Sequence, residues 1–222
     1  MAGSVAVLEG GEVRGQVVLE EQQRTAQSLA PGIELALRQV GWKPKDVQLV
    51  AVTAGPGSFT GLRVGVTTAK VFAYAVQAQV LGVDTLQAIA WQTPQDCSPL
   101  HVIMDAHRGQ LFAARLVHDA EAGWVWDKTT EIADVTAWRN AVLPREWVTG
   151  PMLSRLATTL PAEVNVVPAA SWMPLADAVG QLAWRQYAAG RRDDVWQLVP
   201  NYFRLSAAEE KRLSQTVPPP HE

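Results

Sequence analysis

Residues 55–65 read Gly55-Pro56-Gly57-Ser58-Phe59-Thr60-Gly61-Leu62-Arg63-Val64-Gly65, a glycine-rich turn between an apolar strand-like run and a helix-like run. Backbone N–H groups at such a turn point outward, which suits either a phosphate or a closely packed partner. The loop lacks the lysine of a Gly-x4-Gly-Lys-Ser/Thr phosphate loop, and the order of elements around it is not that of a dinucleotide fingerprint. Lys70 lies too deep in the following helix to replace that lysine. Asp84, at a strand end, and Asp105, on a turn, are the acidic residues best placed to touch a metal–phosphate, and each reads equally as a helix cap or turn former.

Other chemistry finds little support. Gly57-Ser58-Phe59-Thr60-Gly61 does not have the Gly-x-Ser-x-Gly spacing of a nucleophile elbow, so Ser58 reads as a helix N-cap. His101, His107, His118 and His221 include no pair at the i, i+4 spacing that puts two imidazoles on one ion, so no metal site and no catalytic residue is expected. The single cysteine, Cys97, excludes an internal disulfide and fits a reducing cytoplasm as a bystander.

With 222 residues, 48% of them apolar, the chain can fill a real core as one large domain or two small ones. A net charge of −3 supplies no general attraction for nucleic acid or anionic membrane, so any RNA contact would run through another subunit. No stretch reaches the roughly 18 apolar residues needed to span a bilayer, and the expectation is a cytoplasmic protein. Nine tryptophans read as core and rim residues rather than a base-stacking platform.

The elements that must position the loop follow from periodicity. Val5–Leu8 and Val13–Leu19 flank Gly10-Gly11 as a hairpin. Leu29, Ile33, Leu37 and Val40 form one face of a helix over 25–40 that ends at Gly41. Residues 47–53 read as a buried strand feeding the loop. Leu62, Val66, Ala69, Ala73 and Val76 then form one helical stripe, with Val64, Val71 and Ala75 beside it, so helix 61–78 has more apolar surface than one sheet face can cover. A strand over 80–83 and a helix through Trp91, capped by Asp84 or Thr85, complete a first half. Beyond 93–99, residues 101–105, 110–117 and 124–132 read as strands. An Asp134-capped helix follows, then strands at 147–149 and 164–167 around a helix over 152–160, and a last helix opens at Ser171 and Pro174 and closes at Gly190. Residues 216–222, with Pro218-Pro219-Pro220, read as a disordered tail.

Three segments carry a resemblance: Val52–Gly65, Gly82-Val83-Asp84-Thr85-Leu86 and Ile103-Met104-Asp105-Ala106-His107-Arg108-Gly109. Together they closely resemble the TsaB (YeaZ) family of bacterial subunits for tRNA threonylcarbamoyladenosine (t6A) biosynthesis. Pro200-Asn201-Tyr202-Phe203-Arg204 is similar to that family's Pro-x-Tyr-Leu-Arg segment. The likeness spans Ser4 to about Lys211, with 119–195 matching only in pattern.

The resemblance implies an α/β fold of two RNase-H-like lobes of the actin/sugar-kinase/Hsp70 (ASKHA) type. The lobes would occupy residues 1–96 and 97–205, with a partly disordered extension over 206–222. It implies a non-catalytic partner of a TsaD-type transferase, which moves a threonylcarbamoyl group to N6 of adenosine 37 in ANN-decoding tRNAs, with a TsaE-type ATPase joining through the complex. The helix pair Leu29, Ile33, Leu37 and Val64, Thr68, Val71, Ala75 would meet the partner, or a second copy when the chain is alone. Gly55, Pro56, Gly57, Ser58, Phe59, Thr60, Gly61 and Arg63 could touch ATP or ADP only at an interface shared with the partner, the chain having no cofactor of its own.

The departures from the family pattern are specific. The family's first strand, which precedes the segment matching Ser4–Leu8, is absent, and with it the aspartate of the first phosphate loop. The first lobe is therefore expected to lack its N-terminal strand, with the natural start upstream or another segment filling the gap. Asp105–Gly109 stands where a second phosphate loop would be, without its small residues and hydroxyls, and Val148-Thr149-Gly150-Pro151 only echoes an adenosine loop. Two other classes stay open on sequence grounds, a self-sufficient nucleotide-binding module and a glycoprotease-like peptidase.

Overall fold

The computed structural model describes residues 3–19 and 25–204; the extension and tail expected after Arg204 lie outside the described residues. Strands β1 (Ser4–Glu9) and β2 (Glu12–Val18) form the expected antiparallel hairpin, turned by Gly10 and Gly11 at positive φ. Helix α1 (Thr25–Gln39) lays Ala36 and Leu37 on Val7 and stops just before Gly41, at φ 73°. Strand β3 (Leu49–Gly55) leads through the glycine loop into α2 (Phe59–Val76), which crosses over to the parallel strand β4 (Gln79–Asp84). Asp84 then caps α3 (Thr85–Trp91), its carboxylate accepting from the N–H groups of Leu86 and Gln87 at 2.8 and 3.0 Å.

The second half repeats this order with one strand more. Strands β5 (Leu100–His107), β6 (Gln110–Asp119) and β7 (Gly123–Asp134) form an antiparallel meander. Helix α4 (Val135–Ala141), capped by Asp134, precedes β8 (Trp147–Thr149), and α5 (Leu153–Leu156) precedes β9 (Asn165–Val166). Helix α6 (Ala176–Ala188) closes the repeat. The sheet order is β7-β6-β5-β8-β9, whereas the first half holds two separate ladders, β2-β1 and β3-β4. Both halves follow the RNase-H-like order of the ASKHA type, and among the described residues the first has no counterpart of β5.

Helices α3 and α6 share the space between the lobes. Leu86, Ile89 and Ala90 of α3 join the second-lobe core with Val102, Met104, Phe112 and Leu116. Val179, Leu182 and Ala183 of α6 pack on Leu81 and Val83 of the first lobe and on Ala88 of α3. Each inter-lobe helix thus buries its apolar stripe against a sheet, and the two sheets are tied through them.

Three elements differ from the periodicity reading. The helix expected over 152–160 is one α-turn followed by a 3-10 turn, Ala157–Thr159. The last helix opens at Ala176 rather than Ser171, since Ala169–Ser171 is a separate 3-10 turn. Helix α2 begins at Phe59, two residues early, because Ser58 caps it through the Gly61 N–H.

Candidate functional site

The glycine loop is shaped by a backbone that approaches it from far along the sequence. Residues 193–204 form a strap across the C-terminal ends of β3 and β4. The Gly82 N–H donates to the Asp193 carboxylate at 2.9 Å, and Arg191 donates to the Gly82 carbonyl at 2.8 Å. The Lys70 ammonium reaches out of α2 to the carbonyls of Trp196 and Leu198 at 3.2 and 2.9 Å. The Asn201 N–H donates to the Ala54 carbonyl at 2.7 Å. Gly55 has φ 131°, and a Cβ there would stand 2.6 Å from the Asn201 carbonyl oxygen. Glycine is required at this position by the strap.

These contacts decide what the loop can hold. Lys70 is spent on strap carbonyls, and the space beside Gly55 is filled by Asn201. Asp84 caps α3, and burial pushes its carboxyl up to about 6, although the backbone N–H groups of Gln87 and Leu86 oppose this. Asp105 accepts from the His107 N–H at 2.7 Å and pairs with Arg155 at 2.9 Å, as a turn former does. Gly150, in the segment echoing an adenosine loop, has φ 116°, and a Cβ there would lie 2.2 Å from the Ile103 carbonyl oxygen, so it serves strand packing. Among the described residues no group of three or more His, Cys, Asp or Glu side chains is placed to hold a metal ion.

What the loop does launch is an open helix. Helix α2 buries Leu62, Val66, Ala69 and Ala73 against its own lobe. Val71 is 62% exposed and Tyr74 58%; Ala75 is exposed, and Val64 and Thr68 are half-buried. Beside them the strap adds aromatic surface. Trp196, 67% exposed, meets Tyr74 edge-on at 5.3 Å, and Tyr202 stacks on Phe59 at 4.8 Å with the Arg63 guanidinium over the Phe59 ring. Val199 is exposed as well. Apolar exposure of this extent on one helix and its neighbour makes this face the candidate interaction surface.

Sequence reasoning placed the two helices unevenly. Leu37 is 5% exposed, and Leu37 and Ile33 pack with Val5, Val7 and Val17 of their own hairpin; Leu29 is half-buried. The regular apolar stripe of α1 is the face that its own sheet takes, so Leu37 is not available to a partner, and Leu35 is the large apolar residue of α1 left exposed. Trp196, Val199 and Tyr202 were missed as site residues. The signal was the Pro200–Arg204 segment, whose docking against the loop is a contact between distant parts of the chain.

The comparisons with known proteins agree with this architecture. A family model described as TsaD, tRNA N6-adenosine threonylcarbamoyltransferase, matches residues 13–171. The tRNA threonylcarbamoyladenosine biosynthesis protein TsaB of Escherichia coli (strain K12) is 28% identical over 222 residues, covering 95% of this chain and 93% of that protein. TsaB of Bacillus subtilis (strain 168) is 25% identical over 221 residues, covering 93% and 91%. The solved structure of YeaZ from Pseudomonas aeruginosa superposes with a TM-score of 0.76 at 22% identity, covering 90% of this chain and 94% of that one. The chain belongs to the TsaD family that this model describes, and its likeness to the TsaB proteins runs over nearly its whole length.

Proposed function

We propose that this chain is a non-catalytic subunit of t6A biosynthesis. It binds and stabilises a TsaD-type transferase, which carries threonylcarbamoyl to N6 of adenosine 37 in ANN-decoding tRNAs. The observation that carries this reading is the outer face of α2, where Val71 and Ala75 are exposed and Val64 and Thr68 half-buried, beside the exposed Tyr74 and Trp196. Small residues at Thr68 and Ala75 let a second helix approach closely, and Val71 supplies the apolar contact. The glycine loop supports the same reading, because Lys70 is engaged with strap carbonyls and Asn201 fills the space beside Gly55. Any ATP or ADP belongs to the interface with the partner, and tRNA reaches the complex through the partner's surface. A TsaE-type ATPase joins through the complex, and the same α2 face pairs two copies when the transferase is absent.

The test is reconstitution. A TsaD-type transferase, supplied with threonylcarbamoyl-AMP and tRNA, is assayed for t6A with and without this chain. Formation should depend on the chain, and equal product without it would defeat the proposal. Calorimetry of the chain alone with ATP and Mg²⁺ should give no tight binding.

A further inference from the structure

The second lobe holds a cavity of about 490 Å³ between α4 and the sheet, well inside the range of small-molecule sites, roughly 300–1,000 Å³. Four alanines keep it open where larger side chains would close it: Ala113 of β6, Ala133 of β7, and Ala137 and Ala141 of α4. The buried Trp138 walls it on the helix side, and the exposed Leu143 borders it.

Its polar groups sit at two levels. At the inner level is His101, 9% exposed, whose Nε2 lies 2.9 Å from the Glu146 carboxylate. Burial pushes the imidazole below its ordinary value, against the pull of Glu146, so the ring is neutral at pH 7. Nε2 then donates to the carboxylate, and Nδ1 is an acceptor with no partner among the described residues. At the outer level are Lys128 and Glu131, both exposed, and neither pairs with an opposite charge among the described residues. A bulge in β7 brings these two together. Glu131 stands opposite Ala113 and Lys128 opposite Arg115, so Thr129 and Thr130 span what Ala114 alone spans on β6. Residues three apart on a regular strand face opposite ways, whereas here both line the cavity, set about 7 Å apart along the strand.

We propose that this cavity binds an aromatic α-amino acid whose ring carries a hydrogen-bond donor, a phenol O–H or an indole N–H. The ring occupies the alanine-lined space against Trp138 and donates to His101 Nδ1. The carboxylate meets the Lys128 ammonium and the α-ammonium meets the Glu131 carboxylate, so the outer level reads a zwitterion. A ligand with one charge alone would bring it beside a group of its own sign. A plain phenyl ring would leave the buried Nδ1 without a donor.

The test titrates the full chain, its alanine methyls labelled with ¹³C, with L-tyrosine and with L-tryptophan at pH 7. In NMR spectra the methyls of Ala113, Ala133, Ala137 and Ala141 should shift saturably with at least one of the two. L-phenylalanine, which lacks the donor, should bind at least about tenfold more weakly, as should the N-acetyl amides of tyrosine and tryptophan, which lack both charges. Ala137→Leu, at an exposed position, should abolish the shifts of the other three methyls with the Tm unchanged. Lys128→Ala, outside the packed core, should weaken binding at least about fivefold. Unmoved methyls with both amino acids would overturn the proposal, and so would equal binding of L-phenylalanine. Equal binding of the N-acetyl amides would overturn it too, by assigning the cavity to a side chain of a peptide. No transferase takes part, so the result stands or falls apart from the function proposed above.

Discussion

Among the described residues the second lobe closes one five-stranded sheet, whereas the first holds two separate ladders. Strand β5 is paired on both sides, and a buried ionic clamp ties its neighbours together. Glu146, just ahead of β8, accepts from His101 of β5 at 2.9 Å, from Arg115 of β6 at 2.7 and 3.0 Å, and from the Leu143 N–H at 2.9 Å. The first lobe has no counterpart among the described residues. Its ladders are joined through α6, its loop is held by the 193–204 strap, and the open side of α2 is left bare. The second half is thus held by one continuous sheet and a clamp, and the first by a helix and a strap beside an exposed α2 face.

Breaking the clamp has the largest expected effect. Burial pushes the Glu146 carboxyl up, but the Leu143 N–H, Arg115 and His101 outweigh it and hold it at about 2. Glu146→Ala would leave His101 without its carboxylate and Arg115 with Asp127 alone, and should cost about 3–5 kcal/mol in denaturant unfolding. Because the folded carboxyl titrates below its usual 4.5, its contribution is present above that pH and is lost as the pH falls toward 2. The wild type should therefore lose stability across that window and Glu146→Ala should not show this loss. A cost below 1 kcal/mol would mean that the second lobe owes its closure to β5 pairing alone.

What could be read from the sequence was what neighbours in sequence decide. The Gly10-Gly11 hairpin, the Ser58 and Asp84 caps and the end of α1 at Gly41 each depend on a few adjacent residues, and all stand as expected. The two repeated halves came from the order of elements and from the family's pattern. The α1 stripe was misdirected because periodicity says which face is apolar, not which neighbour covers it. Leu37 was therefore assigned to a partner when its own hairpin takes it. The strap was illegible for a related reason. Nothing near Gly55 announces that Asn201 will lie against it, and no local signal tells that Lys70 will cap carbonyls rather than face solvent.

The strap is the next place to break the comparison, since it is how the first lobe is completed from the other end of the chain. Gly55→Ala places a methyl 2.6 Å from the Asn201 carbonyl at a φ of 131° that alanine avoids. It should cost about 2–4 kcal/mol and release the strap. Limited proteolysis should then cut between Trp196 and Asn201 faster than in the wild type. If the strap stays protected, Lys70 and Asp193 hold it without the loop.

Asp84 sharpens the contrast at the border between lobes. Its carboxyl is pushed up to about 6 from an ordinary 3.8, so the folded state binds a proton more tightly than the unfolded one. Its favourable contribution is present below pH 3.8 and is lost as the pH rises through about 6. Asparagine keeps the oxygen that accepts from Leu86 and Gln87 and removes the charge. Asp84→Asn should stabilise the chain at pH 7 by about 1–2 kcal/mol, allowing for partial solvent screening, and flatten the profile between pH 4 and 6. A destabilised variant at pH 7 would show that the charge itself is needed at the start of α3.

The smallest expected effect on stability is the one that bears most on function. Val71 is 62% exposed on α2, so Val71→Glu removes little that is packed and should change unfolding by less than about 0.5 kcal/mol. The same charge would be buried without a partner if the α2 face docks a transferase helix, and there it should abolish co-elution with the TsaD-type subunit in size-exclusion chromatography. Val66→Glu is the matched control. Val66 is 2% exposed on the inward side of the same helix, so this variant should lose stability first and binding only with it. A Val71→Glu chain that folds and still binds would remove the α2 face from the function and leave the strap aromatics, Trp196 and Tyr202, as the surface to examine.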